Sequence, residues 1–148
     1  MISDTLNQEM KTAMLAKDQV TLRGLRAIKA AWLLAVTEKG PSTELKEEDE
    51  LRILQKLIKQ RRESADIYKQ QNREDLAQVE EEEIEVISRF LPKQLGRDEI
   101  AAIIDDIIKQ SGITSVKDMG KVMAQANKAL VGKADGKLIA EIVKEKLA

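Results

Sequence analysis

Apolar residues recur along this chain at spacings of three and four, and alternation of the kind a strand needs persists nowhere. Ile2, Leu6, Met10 and Met14 fall every fourth residue and predict a first amphipathic helix, with Ser3 or Asp4 near its cap. Asp18 is placed to cap a second helix whose stripe is Leu22, Leu25, Ile28, Trp32 and Val36. Gly40-Pro41 ends it, and Ser42 to Lys46 reads as a surface loop. Glu47, Glu48 and Asp49 suit the positive end of a third helix, with Leu51, Leu54, Leu57, Ile58, Ala65 and Tyr68 on its buried side. Asn72 breaks the pattern before a fourth helix carrying Leu76, Val79, Val86, Ile87 and Phe90, which Pro92 stops.

Beyond that proline the helices are shorter. Ile100/Ile103/Ile104/Ile107/Ile108, Met119/Val122/Met123/Ala126/Leu130 and Leu138/Ile139/Ile142/Val143/Leu147 mark three of them. Ser111-Gly112 and Val131-Gly132 supply stops, and Ser115-x-x-Asp118 has the form of a capping box. The expected fold is all-α and multihelical. An N-terminal region of about four helices spans residues 1–92, and a small three-helix region spans 93–148.

Hydrophobic residues make up 43% of the chain and aromatics 2% (Trp32, Tyr68 and Phe90), so the core must be aliphatic. Cysteine and histidine are absent, which removes thiolate nucleophiles, Cys/His zinc sites, Ser-His triads and imidazole acid–base chemistry. Glutamates 80–83 and 85 occupy successive helical positions and point around the helix, a poor arrangement for gathering a metal. Ser64 has no base or oxyanion loop in its vicinity of the sequence. No catalytic activity of the chain alone, no metal and no cofactor are expected. Met1 to Val20 lacks an apolar block, and no stretch approaches the roughly 18–20 apolar residues of a membrane span. A cytoplasmic protein without membrane contact is the expectation.

Charge changes the picture in the second region. Residues 93–148 hold ten basic and eight acidic side chains, although the whole chain carries −1. Between Ile113 and Lys137 there are five lysines against two aspartates. On a helix begun near Val116, Lys121 and Lys128 project within about 40° of Lys117, opposite Met119, Val122, Met123, Ala126 and Leu130. No glutamate lies four residues from any of them, so an outward phosphate-tracking face is one reading and an ordinary solvated surface the other. Gly120 costs such a helix about 1 kcal/mol relative to alanine. Close packing of another helix is the expected reason, and approach of a nucleic-acid backbone the alternative. Gly132 to Lys137 sets Lys133 and Lys137 beside a helix start with Asp135 as N-cap and Gly136 in the first turn. Free amides there suit phosphate, although the Asp135 carboxylate competes for them. The third helix is basic through Lys56, Lys59, Arg61, Arg62, Lys69 and Arg73, but the glutamates of the fourth would neutralise it if the two pair antiparallel.

Several blocks taken together resemble the GatB/YqeY family. They are Lys59-Gln60-Arg61-Arg62-Glu63-Ser64 with Tyr68, Arg73-Glu74-Asp75-Leu76-Ala77, Phe90-Leu91-Pro92-Lys93-Gln94-Leu95, Asp118-Met119-Gly120-Lys121-Val122-Met123 and Gly132-Lys133-Ala134-Asp135-Gly136-Lys137. The resemblance is to a stand-alone YqeY-type protein. It implies a helical two-part fold whose second part is similar to the tail of the B subunit of tRNA-dependent amidotransferase, a carbon–nitrogen ligase with glutamine as amido donor. Similar modules are appended to some glutaminyl-tRNA synthetases. The catalytic parts of those enzymes have no counterpart here. The resemblance therefore implies a tRNA-associated accessory module, with Arg61, Ser64, Tyr68, Gly120, Gly132, Asp135 and Gly136 as motif positions without an assigned role.

With three aromatics, base stacking is nearly unavailable, and contact would run to phosphates and shape through Lys117, Lys121, Lys128, Lys133 and Lys137. The affinity expected is weak and salt-sensitive. The alternative is an adaptor that binds an aminoacyl-tRNA synthetase or an amidotransferase protein without touching RNA.

Overall fold

The computed structural model describes residues 2–40 and 44–148, and among these every regular element is helical. The chain divides into two compact units, Met1–Leu91 and Pro92–Ala148.

The first unit contains α1 (Ile2–Leu15), α2 (Gln19–Lys39), α3 (Glu47–Gln70) and α4 (Glu74–Ser88). Both of its tight hairpins close in the same way. After α1, Lys17 takes φ 57°, its amide donates to the Met14 carbonyl at 3.2 Å, and the Asp18 amide donates to Ala13 at 2.9 Å. After α3, Asn72 takes φ 60°, its amide donates to Lys69 at 3.1 Å, and the Arg73 amide donates to Tyr68 at 2.8 Å. Each is a Schellman stop built on a left-handed residue. Asn72 suits that conformation; Lys17 adopts it because the turn satisfies two otherwise orphaned carbonyls. Asp18 then caps α2, accepting from the Thr21 amide at 3.1 Å and the Thr21 hydroxyl at 2.6 Å. Gly40 ends α2 at φ 93°. Of the loop predicted at Ser42 to Lys46, Ser42 and Thr43 lie outside the described residues, while Leu45 is buried.

The core of this unit is aliphatic, built on Ile2, Leu6, Ala13, Leu22, Leu25, Ile28, Leu54, Ile58, Val86 and Ile87. Three sequence expectations are corrected here. Met14 is 53% exposed and Ala13 is buried instead. Four-residue steps advance about 400°, so three of them carry Met14 roughly 120° off the face that Ile2 defines. Ser3 and Asp4 lie inside α1 rather than capping it. Val79 is exposed, and Glu80 and Glu83 turn partly inward in its place.

Two features of the packing gave no sequence signal. Gly24 of α2 lies so close to α4 that a Cβ there would sit 2.6 Å from Val86 Cγ1. Glu50, in the first turn of α3, is 1% exposed. Its carboxylate accepts from the Ile2 amide at 3.1 Å and from Trp32 Nε1 at 3.0 Å. The N-terminal ends of α1 and α3 thus converge on one buried carboxylate, where both helix dipoles favour negative charge.

The second unit holds α5 (Arg97–Ser111), α6 (Met119–Ala129) and α7 (Gly136–Leu147) around Ile100, Ile104, Val122, Ala126, Leu130, Ala134, Ile139, Ile142, Val143 and Leu147. Gly112, at φ 70°, ends α5 with its amide on the Ile108 carbonyl at 3.0 Å. No helix among the described residues is long and apolar enough to cross a membrane.

Candidate nucleic-acid interface

Residues Val116–Asp118 form a single 3₁₀ turn that leads into α6. The Ser115 hydroxyl accepts from the Lys117 amide at 3.2 Å, and the Asp118 amide donates to the Ser115 carbonyl at 3.1 Å. The expected reciprocal capping box is replaced by this local turn. Lys117 therefore does not continue the α6 stripe, because a 3₁₀ turn advances about 120° per residue rather than 100°. Its side chain is exposed all the same.

On α6 the stripe itself stands. Val122 and Ala126 are buried, Lys121 and Lys128 are exposed. The two lysines are seven residues apart, about 10 Å along the axis, and project opposite the buried face. Gly120 is exposed too, and a Cβ placed on it meets nothing within 4 Å. No helix of the second unit packs against it, so the expected reason for this glycine finds no support within the unit.

Past α6, Gly132 is buried at φ 76°, a conformation that accounts for glycine at this position. Lys133 is exposed between buried Gly132 and buried Ala134. Asp135 caps α7, its Oδ1 accepting from the Lys137 amide at 3.2 Å. That donor is consequently taken, which weakens the idea of a phosphate seated on the start of α7. Gly136, the first residue of α7, has open space around it.

Ion pairs engage some of the cations of each unit. In the first unit Arg23 pairs with Glu82 at 3.0 Å and Glu83 at 3.1 Å, and Arg61 pairs with Glu83 at 2.9 Å. Lys69 pairs with Glu81, and Arg73 meets Asp75 at 3.1 Å. The basic face predicted for α3 is thus partly neutralised from α4, and Arg61 is a structural cation whose Nη1 also donates to the Leu57 carbonyl at 3.2 Å. Ser64 and Tyr68 are half-buried on α3 beside it. Burial, then the neighbouring Glu83, push Glu80 above the ordinary carboxylate range, against the opposing pull of Arg61 and Arg23. The Lys39 ammonium holds Asp49 below that range, and the Thr21 hydroxyl does the same for Asp18.

In the second unit the ion pairs run between α5 and α7: Arg97 with Glu145 at 2.6 Å and with Glu141 at 4.0 Å, and Lys146 with Asp105 at 3.1 Å. Among the described residues, Lys117, Lys121, Lys128, Lys133 and Lys137 have no ion-pair partner, and the same holds of Lys93, Lys109 and Lys144 in this unit. Sequence reasoning also missed Gln94. Its Nε2 donates to the Gly132 carbonyl at 2.7 Å and the Pro92 carbonyl at 3.0 Å, while the Leu95 amide donates to the Lys133 carbonyl at 2.9 Å.

Two helical units, without a strand among the described residues and with exposed lysines outside any ion pair on the second, are the class that fold and surface define. The chain belongs to the YqeY family: the family described as Yqey-like protein matches residues 3–147. It is similar to proteins named altered inheritance of mitochondria protein 41, mitochondrial. That of Meyerozyma guilliermondii is 38% identical over 91 residues, 60% of this chain and 45% of the relative. That of Clavispora lusitaniae is 32% identical over 87 residues, 59% and 49% of the two chains. That of Vanderwaltozyma polyspora is 30% identical over 124 residues, 77% and 64%. The chain thus matches from about half to under two thirds of the length of these curated relatives. All three are named as mitochondrial proteins, which overturns the expectation of a cytoplasmic one.

Proposed function

We propose that this protein is a non-catalytic, tRNA-associated accessory module of the kind that serves tRNA-dependent amidotransferases and glutaminyl-tRNA synthetases. One observation carries the reading: the ion pairs of the second unit all run between α5 and α7, and none reaches the exposed lysines of the α6 face and of the turn before α7. Such charge attracts a polyanion and releases its counterions. Phe90, Trp32 and Tyr68 all belong to the first unit, so the lysine-bearing unit has no ring on which a base could stack. Contact is with phosphates and the shape of a folded RNA, not with bases read one by one.

Titration of the full chain with unfractionated folded tRNA at several salt concentrations tests this. Weak binding that falls steeply with salt is expected. The Lys121→Glu/Lys128→Glu variant should abolish most of it with helicity unchanged. A charge-matched Lys109→Glu/Lys144→Glu control should bind nearly as well as the parent. Equal loss in the two variants would reduce the effect to net charge and reject the face.

A second reading, an adaptor that holds a synthetase or amidotransferase protein, is favoured by Leu33 and Leu34 of α2, exposed by 49% and 60%. Capture of such a partner that survives ribonuclease would support it over the first.

A further inference from the structure

We infer that the segment Pro92–Gly96 positions the Lys133 amine for phosphate contact, with Gln94 as the positioning residue; this rests on the tRNA-binding reading above. Lysines on α6 are held by a helix, whereas Lys133 sits in a turn, where a long side chain ordinarily gains little from its backbone. Here the backbone of that one residue is tied at both ends. Its amide donates to the Leu130 carbonyl at 2.9 Å, and its carbonyl accepts from the Leu95 amide at 2.9 Å. The preceding carbonyl, that of Gly132, accepts from Gln94 Nε2 at 2.7 Å, and the second hydrogen of the same nitrogen goes to Pro92. Gly132 and Ala134 are buried on either side, so the only direction left to the Lys133 side chain is outward. Leu95 itself packs against the core of the unit, which anchors the strap that makes these bonds.

The arrangement is dearer than a turn requires. Gly132 at φ 76° and the α6 stop already close the chain, and the amides of both Lys133 and Ala134 reach the Leu130 carbonyl without help from residues 92–96. What the strap adds is a fixed backbone, and with it a fixed Cα–Cβ direction, for one lysine. A lysine whose backbone is ordered before binding loses less freedom when it meets phosphate, and so contributes more to affinity. Two sequence blocks far apart in the chain, Pro92 to Leu95 and Gly132 to Lys137, are thereby parts of one device.

The test compares Gln94→Met, Lys133→Ala and the double variant in the full chain, titrated with unfractionated folded tRNA across salt. Methionine keeps the length of the side chain and removes both donors. Each single variant is expected to weaken binding several-fold and to lower the slope of log affinity against log salt by one contact, about 0.7–0.9. The double variant should match either single one. Amide exchange at Leu95 should quicken in Gln94→Met without RNA present, while the melting temperature stays nearly constant. A Gln94→Met protein with the parental salt slope overturns the inference, as does full additivity with Lys133→Ala, or a Lys133→Ala variant that binds normally. If Lys121→Glu/Lys128→Glu also binds normally, the tRNA reading itself has failed; if that variant loses binding and Gln94→Met does not, only the role of the strap is lost.

Discussion

The indole nitrogen of Trp32 donates to the buried carboxylate of Glu50 at 3.0 Å, across eighteen positions of sequence. The other oxygen of that carboxylate holds the first described amide of α1. One acid in the wall of the core therefore joins α1, α2 and α3. Replacing Glu50 with leucine orphans two donors, each worth roughly 1–3 kcal/mol when buried without a partner. Denaturation followed through the single tryptophan should show a loss of about 2 kcal/mol or more and a changed Trp32 emission. Glu50→Gln, which keeps one acceptor, should lose less.

Gly24 and Val86 set the closest approach of α2 and α4. Gly24→Ala improves intrinsic helix propensity by about 1 kcal/mol, yet its Cβ would overlap a valine with no room to retreat. The net outcome expected is destabilisation on the order of 1–3 kcal/mol, as for other overpacked cores. Val86→Ala in the same chain should recover part of it, which a double-mutant cycle in urea would measure.

Gly120 should respond in the opposite sense. Open space surrounds its Cβ position and its φ is not positive, so Gly120→Ala is expected to stabilise the chain by up to about 1 kcal/mol and raise its melting temperature. If RNA passes close to the α6 backbone at this point, the same substitution lowers tRNA affinity. The paired measurement of melting and binding separates a glycine kept for a ligand from one kept for nothing.

Glu80 gives a pH signature. Its folded-state pKa is raised, chiefly by burial, so the native chain holds this proton at pH values where the unfolded chain has released it. Stability contributed by the protonated form is therefore lost as pH rises from the ordinary carboxylate range through the raised value. Glu80→Gln should raise the melting temperature at neutral pH and make no difference well below pH 4. Asp18 and Asp49 act with the reverse sign. Their pKa values are lowered, by the Thr21 hydroxyl and by Lys39 respectively, and their contribution disappears as pH falls through the acid range. Thermal melts of the Glu80→Gln and parent chains from pH 3 to 8 check both directions.

Much of the helical plan is legible in the sequence. Asp18, Asn72, Gly40 and Gly112 mark helix ends because capping is a matter of hydrogen bonds three to six residues long, and such bonds leave their residue types behind in the chain. The exposed pair Lys121 and Lys128 was legible for the same reason, as two positions on one face of one helix. Lys117 was misplaced because a 3₁₀ turn and the first turn of an α-helix share a sequence signature. Met14 and Val79 were misplaced because spacing alone does not say which flank of a stripe a neighbouring helix will cover.

Local periodicity and end chemistry settle that this chain is a set of amphipathic helices, since both depend on contacts within a turn or two. Long-range packing alone decides that a glutamate is buried at position 50, that no side chain fits at 24, that Glu83 serves both Arg23 and Arg61, and that Gln94 grips Gly132. Their partners lie 18 and 48, 62, 60 and 22, and 38 residues away respectively, a separation over which sequence pattern carries no geometric information. The same packing selects which lysines stay unmatched, because a charge is quenched by whichever acid the fold brings to it.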